Sequence, residues 1–350
     1  MLPHADYMHR CLQLAGLGAG FTAPNPMVGA LLIHEGRIIG EGYHQQYGGP
    51  HAEVNCLQSV TTSDRPLIPY STLYVSLEPC CHHGKTPPCT DLILREKIPN
   101  LVIGCRDPFP EVNGKGIEIL KANGVKIEYP VLENLSMEKN RRFFTFHLQK
   151  RPYIILKWAQ SANLMMALKT GRRIRISNMF SNRLVHKWRS EEAGILIGTA
   201  TALLDDPELT TRFWPGKNPV RIVLDRERRL PDSLKIFDEK IPGIILNGKI
   251  EKQSGNLLYK KIEDGLFSIP AVLSALHASH ILSILVEGGA KLLQSFIDAD
   301  IWDEIRIITN QEMEIEDGIS SPEFQNARFV HSEILGTDTI SYYQKLKPGN

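Results

Sequence analysis

Three side chains suited to a soft cation stand out in this sequence: His51, within Pro50-His51-Ala52-Glu53, and the cysteines Cys80 and Cys89. One imidazole and two thiolates suit a tetrahedral Zn²⁺ and leave the fourth position open to water. Such a metal lowers the pKa of bound water toward about 7, so hydroxide forms at neutral pH. Glu53 lies two residues beyond His51. A helical turn starting there puts its carboxylate beside the metal without making it a ligand, placed to pass a proton from water to a leaving amine. Pro87 and Pro88 hold the approach to Cys89 extended, so Cys89 falls near a helix start, where partial positive charge favours its thiolate. The competing arrangement is a closed four-ligand site completed by Cys81, His82 or His83, which leaves Glu53 without a task. Cys81 reads as a bystander, and Cys11, Cys56 and Cys105 as small core residues.

The elements that must hold these groups follow from apolar periodicity. In the first half, helices are expected over 7–17, 52–60, 91–97, 117–123 and 133–147, with strands over 28–33, 37–43, 72–77, 101–105 and 125–129. This describes helices layered on a mixed sheet. Gln149-Lys150-Arg151-Pro152 is the best boundary, giving domains over 1–148 and 152–350. The second half repeats the alternation, with strands over 153–158, 194–198, 220–224, 243–246, 283–286 and 304–308. Its expected helices cover 181–189, 270–278 and 290–298. Lys157 closes the first of these strands, where a cation can face a phosphate or a ribose. Val286-Glu287-Gly288-Gly289-Ala290-Lys291 follows a strand and opens a helix, so free N–H groups can face a pyrophosphate. Gly16-Leu17-Gly18-Ala19-Gly20 follows a helix instead and reads as a terminus and loop. Met165 and Met166 read as core filler.

The 350 residues are enough for two domains, each with its own core. Forty basic and thirty-nine acidic residues leave a formal charge of +1, which argues against nucleic acid or an anionic membrane as partner. No apolar run approaches the roughly 18 residues of a membrane span, and Met1–Asp6 lacks the opening of a signal peptide. Six cysteines are too sparse for a disulfide scaffold. The expected setting is cytoplasmic, the expected partner a small molecule, and self-association is left open.

His51-Ala52-Glu53 and Pro79-Cys80 match parts of the zinc-deaminase signature, with eight residues between the cysteines in place of two. The string Glu78-Pro79-Cys80-Cys81-His82-His83-Gly84-Lys85-Thr86-Pro87-Pro88-Cys89 closely resembles the riboflavin-biosynthesis deaminases. So do Pro24-Asn25-Pro26-Met27-Val28-Gly29 and Gly42-Tyr43-His44. The usual bacterial member of that family is a bifunctional deaminase–reductase. The resemblance implies an α/β chain in which a cytidine-deaminase-like three-layer domain precedes a dihydrofolate-reductase-like α/β domain. It implies deamination of a pyrimidine carrying a phosphoribosylamino group, then reduction of the ribose to a ribityl chain with NADPH. By it, His51, Cys80 and Cys89 are zinc ligands, Glu53 is the proton shuttle, and Asn25, His44 and Lys85 hold substrate.

The run Gly198-Thr199-Ala200-Thr201-Ala202-Leu203-Leu204-Asp205-Asp206-Pro207-Glu208-Leu209-Thr210-Thr211-Arg212 resembles the reductase's central motif. The resemblance turns Thr201 and Asp205 toward the nucleotide, with Lys157, Gln160, Arg175, Gly288 and Gly289. It turns Arg189, Leu209, Arg212 and Glu287 toward the substrate. The basic trio Arg172, Arg173 and Arg175 either serves the extra phosphate of NADPH or is solvated. Departures gather after Lys157: where the family continues with Asp-Gly this chain has Asn163-Leu164, and Arg175 replaces a position that is often aromatic. The alternative they raise is a deaminase with a reductase-like domain of impaired activity. A nucleic-acid base deaminase is disfavoured by the near-neutral charge and the long cysteine spacing.

Overall fold

The computed structural model describes residues 3–84, 87–263 and 265–346. The chain divides into two compact units, Met1–Gln149 and Lys150–Asn350. The first contains α1 (His4–Gly16), β1 (Gly29–His34), β2 (Arg37–Tyr43), α2 (Ala52–Ser59), β3 (Thr72–Leu77), α3 (Cys89–Arg95), β4 (Asn100–Cys105), α4 (Lys115–Ala122), β5 (Lys126–Glu128), α5 (Glu133–Lys139) and α6 (Arg141–Gln149). Its sheet runs β2-β1-β3-β4-β5, with β1 antiparallel to both neighbours and β3, β4 and β5 parallel. Side chains alternate across a strand. Ala30 and Leu32 therefore face Cys56, Leu57, Ile93 and Leu120 in one apolar layer, while Leu31 and Ile33 face Tyr7, Met8 and Cys11 in another. Three layers result.

Two glycines let helices approach this sheet closely. A Cβ on Gly29 would stand 2.0 Å from the Cys11 carbonyl oxygen, and one on Gly42 2.2 Å from the Cys56 nitrogen. The single helix expected over 133–147 is instead two, broken at Asn140. The Asn140 amide accepts from Met27 N and donates to Met27 O, both at 2.8 Å, across 113 residues of sequence. That pair of bonds fixes Asn140 at the junction.

The second unit contains β6 (Tyr153–Ser161), β7 (Met165–Leu168), α7 (Met179–Glu191), β8 (Gly194–Gly198), α8 (Thr199–Asp205), β9 (Val220–Leu224), β10 (Gly243–Asn247), β11 (Lys252–Ser254), β12 (Leu257–Lys261), α9 (Ile269–Ala278), β13 (Ser283–Val286), α10 (Ala290–Asp298), β14 (Glu304–Asn310), β15 (Gly318–Ser320), β16 (Ala327–Leu335) and β17 (Asp338–Lys345). The sheet order is β11-β12-β10-β9-β8-β13-β6-β14-β17-β16, parallel from β12 through β14 and antiparallel at both ends. Both faces of the parallel part are covered, which is why those strands read as continuous apolar runs. One face packs Ile154, Leu156, Ile284 and Val286 on Leu276, Leu293 and Phe296. On the other, Tyr153, Ile155 and Leu285 pack on Val185 and Trp188.

A separate two-stranded sheet pairs β7 with β15. The turn that leads from β6 into β7 carries the departures at 163 and 164. Leu164 adopts a left-handed φ of 63°, a conformation a glycine takes without strain. Asn163 accepts from Ser161 Oγ at 2.6 Å and Ile315 N at 3.1 Å, and donates to Ile315 O at 3.0 Å. An ionised aspartate has no proton for that last bond. Met166 packs on the large core as expected. Met165 does not: it is half-exposed on β7, with Ser320 Oγ 3.8 Å from its sulfur. Among the described residues no helix is long and apolar enough to cross a membrane.

Candidate functional sites

In the first unit, His51 is the residue before α2, Glu53 lies in its first turn, and Cys89 opens α3. Cys80 follows β3. Pro88 precedes α3 in extended geometry, so Cys89 starts the helix as expected. One ligand atom each from His51, Cys80 and Cys89 lies within 4.8 Å of the other two. His51 Nδ1 is 3.5 Å from Cys80 Sγ and 3.4 Å from Cys89 Sγ, and Cys89 N donates to Cys80 Sγ at 3.4 Å. The Cys89 thiol hydrogen bond favours the Cys80 thiolate despite burial, while Cys89 itself is pushed up by that shared proton and by burial. His51 is raised by its hydrogen bond to Cys80. This donor set fits Zn²⁺. Glu53 is buried at 3 % exposure, and burial first, then the Cys80 charge, raises its pKa.

The closed-site arrangement finds no support among the described residues. Cys81 donates instead to the Glu111 carbonyl at 3.5 Å, and the group of side chains placed to hold a metal comprises His51, Cys80 and Cys89 alone among the described residues. Beside it His44, buried, has Nδ1 2.9 Å from the Pro50 carbonyl, which assigns the proton to Nδ1. Its Nε2 then accepts from Asn25 Nδ2 at 3.2 Å, leaving Asn25 Oδ1 for a ligand. Burial lowers the His44 pKa, and its ring stands edge-on to His51 at 5.4 Å. Lys85 lies outside the described residues.

Glu78, directly after β3, has a task that apolar periodicity does not announce. Buried, it accepts from Asp107 N, Gly114 N and Ile117 N at 3.2, 2.9 and 3.2 Å. It thereby seats the 107–114 loop and the first turn of α4 against the residues that lead into Cys80. The signal was available: an acid directly after an apolar strand needs donors when buried.

In the second unit, Leu156 and Val286 pair in parallel register, so the next residue of each, Lys157 and Glu287, meet beside the carboxyl end of β13. Lys157 does not close its strand as expected, because β6 continues to Ser161 by pairing with β14. The carboxyl end of a strand is where ligands bind in open parallel sheets. Lys157 Nζ stands 3.0 Å from Glu287 Oε2, and Arg189 of α7 adds contacts of 2.8 and 2.9 Å to the two carboxylate oxygens. Burial alone would raise Glu287, but Arg189 and Lys157 reverse this and hold it well below the usual carboxylate range. Gly289 caps α10 and donates to Thr201 Oγ1 at 3.0 Å, which joins two expected cofactor positions. Leu209 is buried with a left-handed φ of 55°. Arg212 bonds Glu208 and Thr210 Oγ1.

Other expected positions lie outside this cluster's ion pairs. The Gln160 amide is engaged by Trp158 and Thr309. Asp205 faces Arg173 at 3.8 Å, and Arg172 and Arg175 are exposed. Nothing in this geometry favours a silent second half, since the buried cluster is assembled.

Known families bear on both units. Residues 1–105 match the cytidine and deoxycytidylate deaminase zinc-binding region, and residues 152–310 match the RibD C-terminal domain. The molecule is therefore a zinc-binding deaminase joined to a reductase, its first unit of cytidine-deaminase type. Riboflavin biosynthesis protein RibD of Aquifex aeolicus is 38% identical over 97% of this chain and 98% of its own length. Its counterpart from Escherichia coli K12 is 32% identical over 85% of each. The structure of a diaminohydroxyphosphoribosylaminopyrimidine deaminase/5-amino-6-(5-phosphoribosylamino)uracil reductase from Thermotoga maritima superposes with a TM-score of 0.86. That protein is 33% identical over 97% of this chain and 98% of its own. The chain belongs to the RibD family of bifunctional riboflavin biosynthesis proteins.

Proposed function

We propose that the two halves act in turn on one phosphorylated pyrimidine. Residues 1–148 hydrolyse an amino group from a diaminohydroxyphosphoribosylaminopyrimidine, and residues 152–350 reduce the product's ribose to a ribityl chain with NADPH. The observation that carries this reading is the convergence of His51, Cys80 and Cys89 within 4.8 Å beside the buried Glu53. Zinc held by those three supplies activation of water at neutral pH. Glu53 takes the water's proton and delivers it to the leaving amine, and burial that raises its pKa brings its two forms closer in energy near neutrality. Asn25, His44 and Lys85 hold the pyrimidine and its phosphate.

In the second half, the N–H groups opening α10 after Gly288 and Gly289 receive the cofactor's phosphates. Lys157, Gln160, Arg175, Thr201 and Asp205 complete that side. Arg189, Leu209, Arg212 and Glu287 hold the substrate, the arginines toward its phosphate. The chain works as a cytoplasmic enzyme on a small molecule. Product analysis with zinc-loaded protein, the diamino substrate and NADPH tests the sequence of steps. The expected product is deaminated and reduced, with NADPH consumed only after deamination. Deaminated, unreduced product at saturating NADPH would show the second half to be silent. Recovery of intact substrate would refute the first step.

A further inference from the structure

The loop after α8, carrying Leu209 and Arg212, is seated on one side of α7. His186, at 1 % exposure, accepts from the Arg212 backbone N–H at 3.0 Å through Nδ1. Its ring meets Phe213 edge-on at 4.8 Å. One turn on, Arg189 donates to the Thr210 carbonyl at 3.2 Å while it holds Glu287. Arg183 and Lys187 lie over the Trp214 ring at 5.3 and 5.5 Å. A Cβ on Gly216 would stand 2.6 Å from Ser190 Cβ. Residues 183, 186, 187 and 190 thus form one helical stripe with a single occupant. Leu209, a side-chain-bearing residue at positive φ, keeps that conformation only because its surroundings fix it.

We propose that His186 is a positioning residue of the reductase, which sets Arg212 and Leu209 for the substrate by accepting the Arg212 backbone N–H. The inference rests on the reading that this loop meets the substrate. An imidazole whose Nδ1 accepts is neutral and carries its proton on Nε2. Burial, then Arg189 and Arg212, push its pKa down to about 4, against the opposing pull of Glu287 and the Thr210 backbone. The acceptor is therefore present throughout the neutral range. Protonation turns it into a donor facing another donor and releases the loop.

The test uses the full-length, zinc-loaded enzyme with the deaminated phosphoribosylaminouracil and NADPH. His186→Leu removes the acceptor, whereas His186→Asn keeps an oxygen near the Nδ1 position. The leucine variant is expected to raise the KM for the pyrimidine roughly tenfold. Its kcat and NADPH KM stay within about twofold, and deamination by the same chain is unchanged. The asparagine variant is expected to recover most of the KM and to lack the rise in KM expected of the natural enzyme as pH falls toward 4. If His186→Leu does not fold, His186→Gln serves instead, since its amide reaches the far nitrogen's position. An unchanged KM in the acceptor-free variant, with a raised one in Arg212→Ala, overturns the inference and leaves the loop reading intact. An unchanged KM in Arg212→Ala removes the loop reading and the inference with it. Equal losses in His186→Leu and His186→Asn, or parallel losses in kcat and NADPH KM, also overturn it.

Discussion

Replacing Glu287 by glutamine keeps the shape of the side chain and removes the one anion shared by Lys157 and Arg189. All three side chains are 10–13% exposed, with contacts of 2.8 to 3.0 Å. Removing one member of a buried charge cluster costs about 3–5 kcal/mol, because the remaining charges stay buried without a partner. The residual exposure and the retained glutamine oxygen favour the lower end, about 3 kcal/mol. For a unit of about 200 residues this corresponds to a fall of roughly 6–12 °C in Tm. Calorimetry of the full chain measures it, and the relevant transition is the one that added NADPH moves upward. The pH dependence has a definite sign. The folded pKa of Glu287 is depressed, so its stabilisation is complete above the unfolded value of about 4.3 and is lost as pH falls toward the folded one. The gap between natural enzyme and variant should therefore be flat from pH 5 to about 8 and close only in stronger acid. Adding Lys157→Met to the variant removes one stranded cation and should recover part of the loss. A Tm within about 2 °C of the natural enzyme, or a gap that widens in acid, would refute the electrostatic account.

Glu53→Gln should reduce deamination by about 10²- to 10⁴-fold with zinc content unchanged, since Glu53 stands outside the metal-ligating group; metal analysis showing zinc lost along with activity would contradict its role as proton carrier. Cys80→Ser should lose both zinc and deamination while NADPH-dependent reduction of supplied product continues, and concurrent loss of reduction would contradict the separation of the two activities. Leu164→Gly relieves a left-handed backbone at an exposed side chain and should change stability by between zero and about +1 kcal/mol. Denaturant titration showing a loss above about 1 kcal/mol would mean that the leucine makes a contact worth more than its strain.

The candidate zinc site was legible in the sequence because its information is local. Pro88 sets the entry to α3, Glu53 follows His51 within one turn, and the sulfur chemistry of Cys80 and Cys89 restricts the metal. The parallel core of the second unit was equally plain, since strands such as Gly194–Gly198 and Ser283–Val286 are apolar on both faces. The hairpin Ala327–Leu335 and Asp338–Lys345 was not found, because most of β16 is exposed and its pattern lacks a buried face to report. The 3-residue strands β11 and β15 are too short for a period to show.

What escaped at the sites has a common physical form. Asn140 with Met27, Glu78 with the 107–117 backbone, Asn163 with Ile315 and His186 with Arg212 each join a side chain to a distant main-chain group. Apolar periodicity carries no trace of such bonds, and neither propensity nor spacing names the partner. Glu78, Asn140 and His186 are buried, so leaving them unpaired would cost enough that a partner must exist, whereas Asn163 lies in an exposed turn and leaves not even that trace. A buried polar residue in a sequence is therefore a statement that some loop is tied there. In this chain the tied loops carry Asn25, the approach to Cys80, the turn after β6 and Arg212. The side chains that do chemistry announce themselves by type, while those that hold them in place are recognised only once the fold supplies the other end of the bond.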